Sequence, residues 1–455
     1  MRRTAVLNIV GLTSSLIGEH TPQISLFVER STLAKVKPAF PAVTCVAQSN
    51  FLTGASPSQH GVVANGWFNR EYSEVHFWKQ SNHLVQRPKV WEDLKQAYPS
   101  LTCAKMFWWY NMYSSADYSI TPRPIYPADG RKVFDVYTHP MGMREEVKRD
   151  LGDFPFFTFW GPKAGIDSSR WIAESAKWIE RKQSPTLNLV YLPHLDYNLQ
   201  RLGPSHPDIA QDLQAIDEVV GDLIRFFEER SVQVILLSEY GINDVDRPIH
   251  LNRVFREKGW ITIKDELGLE QLDCGASRAF AVADHQVAHV YVSDESIRSQ
   301  VHEVLESVDG VERVLDENGK REKKVDHERS GDFIAIADDR SWFTYYYWMD
   351  DSLAPDFARC VDIHRKPGYD PVELFIDSEL KVPALKIAGF LAKKKLGLRG
   401  LLDVIPLDAS LVKGSHGRIQ ESPEEWPVFV GPESEVKVRE STDVYHGISD
   451  AVIAK

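Results

Sequence analysis

The segment Phe40–Gly54 reads FPAVTCVAQSNFLTG. Pro41 favours an extended entry. Thr44 then falls where a helix would begin, with Val46, Ala47, Phe51 and Leu52 at roughly helical spacing. A hydroxyl at a helix N-terminus lies at the positive end of the dipole, beside backbone N–H groups without intrahelical partners. That setting favours an alkoxide nucleophile and an anionic phosphoryl group. A plain threonine N-cap would occupy the same place, so this segment alone leaves both readings open. Other polar groups follow apolar runs. Asn8 and Gly11 stand toward the end of Ala5–Val10. Pro193-His194-Leu195-Asp196 follows Leu187–Leu192, and Ser238-Glu239-Tyr240-Gly241 follows Val232–Leu237. Open α/β sheets bind ligands at the carboxyl ends of their strands, so three such ends can converge on one site. Each group alone could merely cap the next helix.

The three runs are mostly apolar, as strands buried on both faces of a parallel sheet would be. Between the last two, Asp208–Arg230 repeats its apolar residues at three and four, predicting an amphipathic helix and a βαβ crossover. Ser168–Lys182 predicts another helix, with Ile172, Ala176 and Ile179 on one stripe. Residues 285–337 differ in texture. His289–Val292, Val311–Leu315 and Phe333–Ala337 read as strands, Ser296–Ser307 as a helix, and Asp316–Arg329 as a charged stretch. The expected fold class is therefore α/β, a mostly parallel sheet between helices. Its core would span residues 1–284 and 338–455, with 285–337 an inserted α+β cap.

The 455 residues carry 53 Lys+Arg against 65 Asp+Glu, a net −12, with 43% hydrophobic content. That apolar content excludes a disordered chain. The acidic balance argues against a nucleic-acid polymer as partner. A small anionic substrate remains open, most easily through a bound metal. Cys45, Cys103, Cys274 and Cys360 show no CxxC spacing and read as free thiols in a reducing compartment. No run of about 18 apolar residues suggests a membrane span. The opening MRRTAVLNIVGL reads as a first strand, not a signal peptide. A cytoplasmic protein is expected. The Lys393-Lys394-Lys395 run reads as a solvated face. The oligomeric state is open.

FPAVTCVAQSNFLTGASPSQHGVVANGWF resembles the nucleophile region of the alkaline phosphatase superfamily. The nearest branch is the type I phosphodiesterase / nucleotide pyrophosphatase family, with phosphonoacetate hydrolase nearby. Further motifs follow in the family's order. LPHLDYNLQRLGP stands where the family has Asp-x-x-Gly-His-x-x-Gly-Pro, SEYG where it has Ser-Asp-His-Gly, and GSHGR where it has Gly-x-His-Gly. The resemblance implies Thr44 as nucleophile and Asn65 as amide donor to a phosphoryl oxygen. It implies Asp196 and His416 as ligands of one metal, and Glu239, in place of Asp, as a ligand of the other. In such an enzyme the metal lowers the hydroxyl pKa of Thr44.

Three positions depart from the pattern. Asn8 stands for the first Asp ligand, Gln200 for a His and Tyr240 for the second His. A shell so short of charge and imidazole implies weaker zinc binding, with one or two divalent ions retained as Zn²⁺, Mn²⁺ or Mg²⁺. Loss of metal chemistry altogether is the other outcome. Asp362 and His364, two apart, would share one side of a strand and could form a displaced metal site, with Arg365 and Lys366 holding a phosphate or carboxylate. A structural loop is the competing reading. His60, His194, His206, His285 and His289 read as structural, with His194 notable for lying two residues before Asp196. The aromatic clusters at 107–110 and 342–348 are core residues or base-stacking surfaces. Trp67 and Phe68, just after Asn65, are placed to flank a leaving group. The expected function is a metal-assisted hydrolase or phosphoryl transferase for a small phosphodiester or pyrophosphate. The alternative is a non-hydrolytic relative that binds a phosphorylated or carboxylated metabolite.

Overall fold

In the computed structural model, which describes residues 1–396, 398, 400–433 and 437–454, an eight-stranded sheet carries the chain's chemistry. Its strands are β1 (Thr4–Ile9), β2 (Thr32–Lys35), β3 (Cys103–Met106), β4 (Tyr118–Pro122), β5 (Val136–His139), β6 (Leu187–Leu192), β7 (Gln233–Leu237) and β8 (Val428–Gly431). The spatial order is β2-β8-β7-β1-β6-β3-β4-β5. The five strands from β7 to β4 run parallel, and β8 and β5 flank them antiparallel. β1 and β6 are buried along their whole length, as their unbroken apolar runs predict. Asn8 lies opposite Tyr191 of β6 and Leu237 of β7, so these three strands end together.

Four helices position the site: α1 (Thr44–Thr53), α2 (Ile166–Gln183), α3 (His194–Leu202) and α4 (Ile209–Glu228). The amphipathic patterns at 168–182 and 208–230 are α2 and α4, which pack on each other. α4 buries Leu213, Ile216, Val220, Leu223 and Phe227 at helical spacing.

A second, four-stranded antiparallel sheet is ordered Ala279–Asp284, Val287–Val292, Phe333–Ala337, Val311–Leu315. Helix Arg298–Ser307 covers it through Val301 and Leu305. This unit begins before residue 285. Ala279–Asp284 pairs with Val287–Val292 as a hairpin, so the expected boundary would cut through one ladder. The charged stretch contains a short helix, Glu317–Glu322. The aromatic clusters at 107–110 and 342–348 are core: all their side chains are buried. Lys393 and Lys395 are exposed at the end of helix Pro383–Lys395. Among the described residues, no helix is long and apolar enough to cross a membrane.

Candidate active site

Val43 is the N-cap of α1 and Thr44 its first residue, so the Thr44 hydroxyl is not spent on a cap. Gly54, with φ 62°, takes the left-handed turn that ends the helix. Thr44 is only 3% exposed. Its Oγ1 lies 3.0 Å from the phenol oxygen of Tyr240, which donates to Asp196 Oδ1 at 3.3 Å. Gln200, one turn after Asp196 in α3, donates from Nε2 to Asp196 Oδ2 at 2.7 Å. The Tyr369 hydroxyl in turn donates to Gln200 Oε1 at 2.9 Å.

On the other side of Thr44, Glu239 Oε1 accepts from Asn8 Nδ2 at 2.6 Å and from Gln48 Nε2 at 2.7 Å. Gln48 is one turn after Thr44, and its Oε1 accepts from the Trp109 N–H at 2.8 Å. Asn65 clamps the start of α1. Its Oδ1 accepts from the Cys45 N–H at 3.0 Å, while its own N–H and Nδ2 donate to the two oxygens of Asp284 at 2.8 and 3.0 Å.

Four rings stack beside these groups. Tyr240 lies on His416 with centroids 3.7 Å apart and an interplanar angle of 9°, His416 lies 3.6 Å from His285, and His285 lies 3.7 Å from Tyr369. The backbone sets this up. The Gln286 N–H donates to His416 O, the Ala42 N–H donates to Gly417 O, and His416 Nδ1 donates to Ala42 O at 2.7 Å. Gly417 has φ 120°, and a Cβ there would stand 3.1 Å from Gln286 N. Glycine therefore permits the close approach of the two loops.

The structure thus gathers Asn8, Thr44, Asn65, Asp196, Gln200, Glu239, Tyr240 and His416 around one centre. It adds four residues that the sequence reading did not place there: Gln48, Asp284, His285 and Tyr369. The i, i+4 spacing from Thr44 could have identified Gln48. The run AFAVAD followed by His could have identified a strand ending in Asp284. His285 lies at the centre, packed between His416 and Tyr369.

The 362–366 segment is a turn, not a strand, so Asp362 and His364 do not share a strand face. Lys366 is committed to buried ion pairs with Asp370 and Glu373, both at 2.7 Å. Arg365 pairs with Asp356 at 3.2 Å, and His364 Nδ1 lies 3.4 Å from Phe77 O. His194 faces Asp212 at 3.1 Å. Trp67 is covered by Arg329 at 5.0 Å, and Phe68 packs edge-on to Phe280 and Tyr291.

Burial dominates the electrostatics. It raises Asp196 and Asp284 to about 7 and Glu239 to about 8, against the smaller opposing effect of their hydrogen bonds. It holds His416 down at about 3 and keeps His285 well below its ordinary value. Cys45, beside Thr44, is pushed well up by burial and so has little thiolate character.

The type I phosphodiesterase / nucleotide pyrophosphatase family matches residues 4–370, most of the chain. The chain belongs to this family. A pyrophosphatase/phosphodiesterase of Schizosaccharomyces pombe, itself uncharacterized, is 24% identical over 249 residues, 52% of this chain and 44% of the relative. The chain therefore aligns with less than half the length of that relative. Two kinds of solved structure are similar along almost the whole chain. Murine ectonucleotide pyrophosphatase / phosphodiesterase 5, an inactive form in complex with AMP, gives a TM-score of 0.59 at 13% identity, covering 99% of this chain and 95% of that one. Phosphonoacetate hydrolase from Sinorhizobium meliloti, with phosphonoformate, gives 0.61 at 11% identity, covering 99% and 96%. These likenesses establish a shared alkaline-phosphatase-like fold.

The side chains present do not fit the metal pair that the family resemblance implies. Two catalytic zinc ions need about six protein donors. Four polar atoms at the centre lack hydrogen-bond partners among the described residues: Asn8 Oδ1, Glu239 Oε2, His285 Nδ1 and His416 Nε2. Two of these are imidazole nitrogens, so the free donors still fall short of six. Both oxygens of Asp196 and one of Glu239 already accept hydrogen bonds. Among the described residues, no group of three His, Cys, Asp or Glu side chains is arranged to hold an ion.

Proposed function

We propose that this family member cleaves or transfers the phosphoryl group of a small phosphodiester, pyrophosphate or related phosphorylated molecule, with Thr44 as nucleophile. The observation that carries this reading is the Thr44 hydroxyl at the first residue of α1, held by Tyr240 at 3.0 Å rather than used as a cap. Tyr240 gives its only proton to Asp196. The Thr44 hydroxyl therefore donates to Tyr240, leaving its lone pairs for phosphorus. In the first step Thr44 Oγ1 bonds to phosphorus while the bond to the leaving oxygen breaks. The hydroxyl proton follows the hydrogen bonds through Tyr240 to Asp196. In the second step water attacks phosphorus, the Thr44–phosphorus bond breaks and Thr44 recovers a proton. Asn65 keeps one Nδ2 hydrogen beyond its bond to Asp284 and can donate it to a phosphoryl oxygen. The first turn of α1 favours the same negative charge. A cytoplasmic setting agrees with the four cysteines, all free and buried.

A second reading, a binding protein without turnover, is favoured by burial: Thr44 is 3% and Tyr240 1% exposed, so a substrate must open the site. Hydrolysis of a p-nitrophenyl phosphodiester by the wild type and by Thr44→Ala separates the two. The nucleophile reading expects kcat/KM to fall by roughly a thousandfold or more. Equal rates would refute it. No wild-type turnover, together with calorimetric binding of AMP or phosphonoformate, would establish the binding reading.

A further inference from the structure

Tyr240 stands where the family motif has a histidine metal ligand, and its hydroxyl links Thr44 to Asp196. It lies 3.0 Å from the Thr44 hydroxyl and 3.3 Å from Asp196. Its ring is fixed face to face on His416. From there the network closes on itself. His416 lies tilted against His285, and His285 stacks on Tyr369. Tyr369 donates to Gln200, and Gln200 donates to the second oxygen of Asp196. Asp196 is thus satisfied on both oxygens by neutral donors. Glu239 is engaged on one oxygen, since Asn8 and Gln48 both donate amide N–H groups to its Oε1, while Oε2 has no partner among the described residues.

An amide beside a carboxylate turns its NH₂ toward it, because two facing oxygens repel. A lone pair that accepts such a hydrogen is not available to a cation. The substitutions at the metal-ligand positions are therefore not isolated losses. Asn8, Gln200 and Tyr240 each supply a donor to a carboxylate that the metals would have needed.

We propose that Tyr240 stands in for the metal pair, so that this centre positions Thr44 and receives a phosphoryl group without a bound divalent ion. The proposal rests on the reading of the Thr44 cluster as the phosphoryl site. Its test includes a measurement that needs no turnover. The full-length protein, purified without chelator, is analysed for metal and then titrated with zinc alone by calorimetry. The expected result is no stoichiometric ion, no zinc uptake and a thermal midpoint unchanged by zinc or EDTA. Uptake of one or two zinc ions per chain would overturn the proposal.

Where the wild type turns over, EDTA should leave the rate unchanged. Tyr240→Phe keeps the ring on His416 but deletes both hydrogen bonds. Its kcat should fall about tenfold or more with KM little changed, and zinc should not restore it. Loss of activity in EDTA, or full kcat in Tyr240→Phe, would overturn the role of Tyr240. If the wild type shows no turnover, the nucleophile reading fails while the zinc titration still decides this one.

Discussion

Lys105 is a fully buried cation behind the site and offers a sharp test of its architecture. It lies on β3 and is 0% exposed. Its Nζ donates to the carbonyls of Trp109 at 3.3 Å and Tyr110 at 3.2 Å and sits 5.3 Å over the Trp91 ring. Burial lowers its pKa from 10.5 to about 7, with smaller contributions from its charged neighbours. Below about pH 7 both folded and unfolded chains hold the proton, and the burial cost is complete. That cost is about 5 kcal/mol from the gap between the two values. Between pH 7 and 10.5 the unfolded chain binds more protons than the folded one. Stability from this group therefore rises with pH, and by pH 9.5 most of that cost is gone.

Lys105→Met removes the titration and keeps an unbranched side chain. The two carbonyls lose a donor at either pH, so that loss cancels in a comparison. Urea unfolding followed by tryptophan fluorescence should show the stability change caused by Lys105→Met to be about 3 kcal/mol more favourable at pH 7 than at pH 9.5. The same change at both pH values would refute the assignment of a buried, largely uncompensated amine. The effect bears on function, because Trp109 presents its N–H to Gln48, which holds Glu239.

Two further outcomes follow from buried groups away from the centre. Lys366→Met leaves Asp370 and Glu373 facing each other without their cation and should cost about 3–5 kcal/mol, read as a lower urea midpoint. His60 is fully buried, its Nδ1 accepts from the Val62 N–H at 3.0 Å, and burial lowers it to about 3. The unfolded chain protonates this residue near pH 6.5 and the folded chain does not. Stability should therefore fall by about 3 kcal/mol from this group between pH 6.5 and pH 4, and His60→Gln should flatten that slope in the same assay.

The strands and helices were legible because their causes are local. An unbroken apolar run marks a strand buried on both faces, and a three–four repeat marks a helix with one buried stripe; neither needs distant information. β1, β6, α2 and α4 follow from this. Thr44, Asp196 and Glu239 were legible as site candidates for a related reason: each stands just beyond a turn into or out of such an element, where open sheets put their ligands.

What the sequence could not decide was the identity of each partner. Asp284 and His285 fall at the turn of a hairpin that a change in texture had marked as a boundary, and the Asn65–Asp284 and Gln286–His416 bonds bring them to the centre. Lys366 looked free to hold an anion until folding placed Glu373 and Asp370 against it. Tyr240 read as the loss of a ligand, whereas the fold makes it the link between Thr44 and Asp196 across 196 and 44 positions of chain. Such pairings depend on strand register and loop approach, which are set by the whole core and not by neighbouring residues. The sequence by itself determined which elements form and which side chains stand at their ends. The tertiary structure alone decided which of those side chains meet.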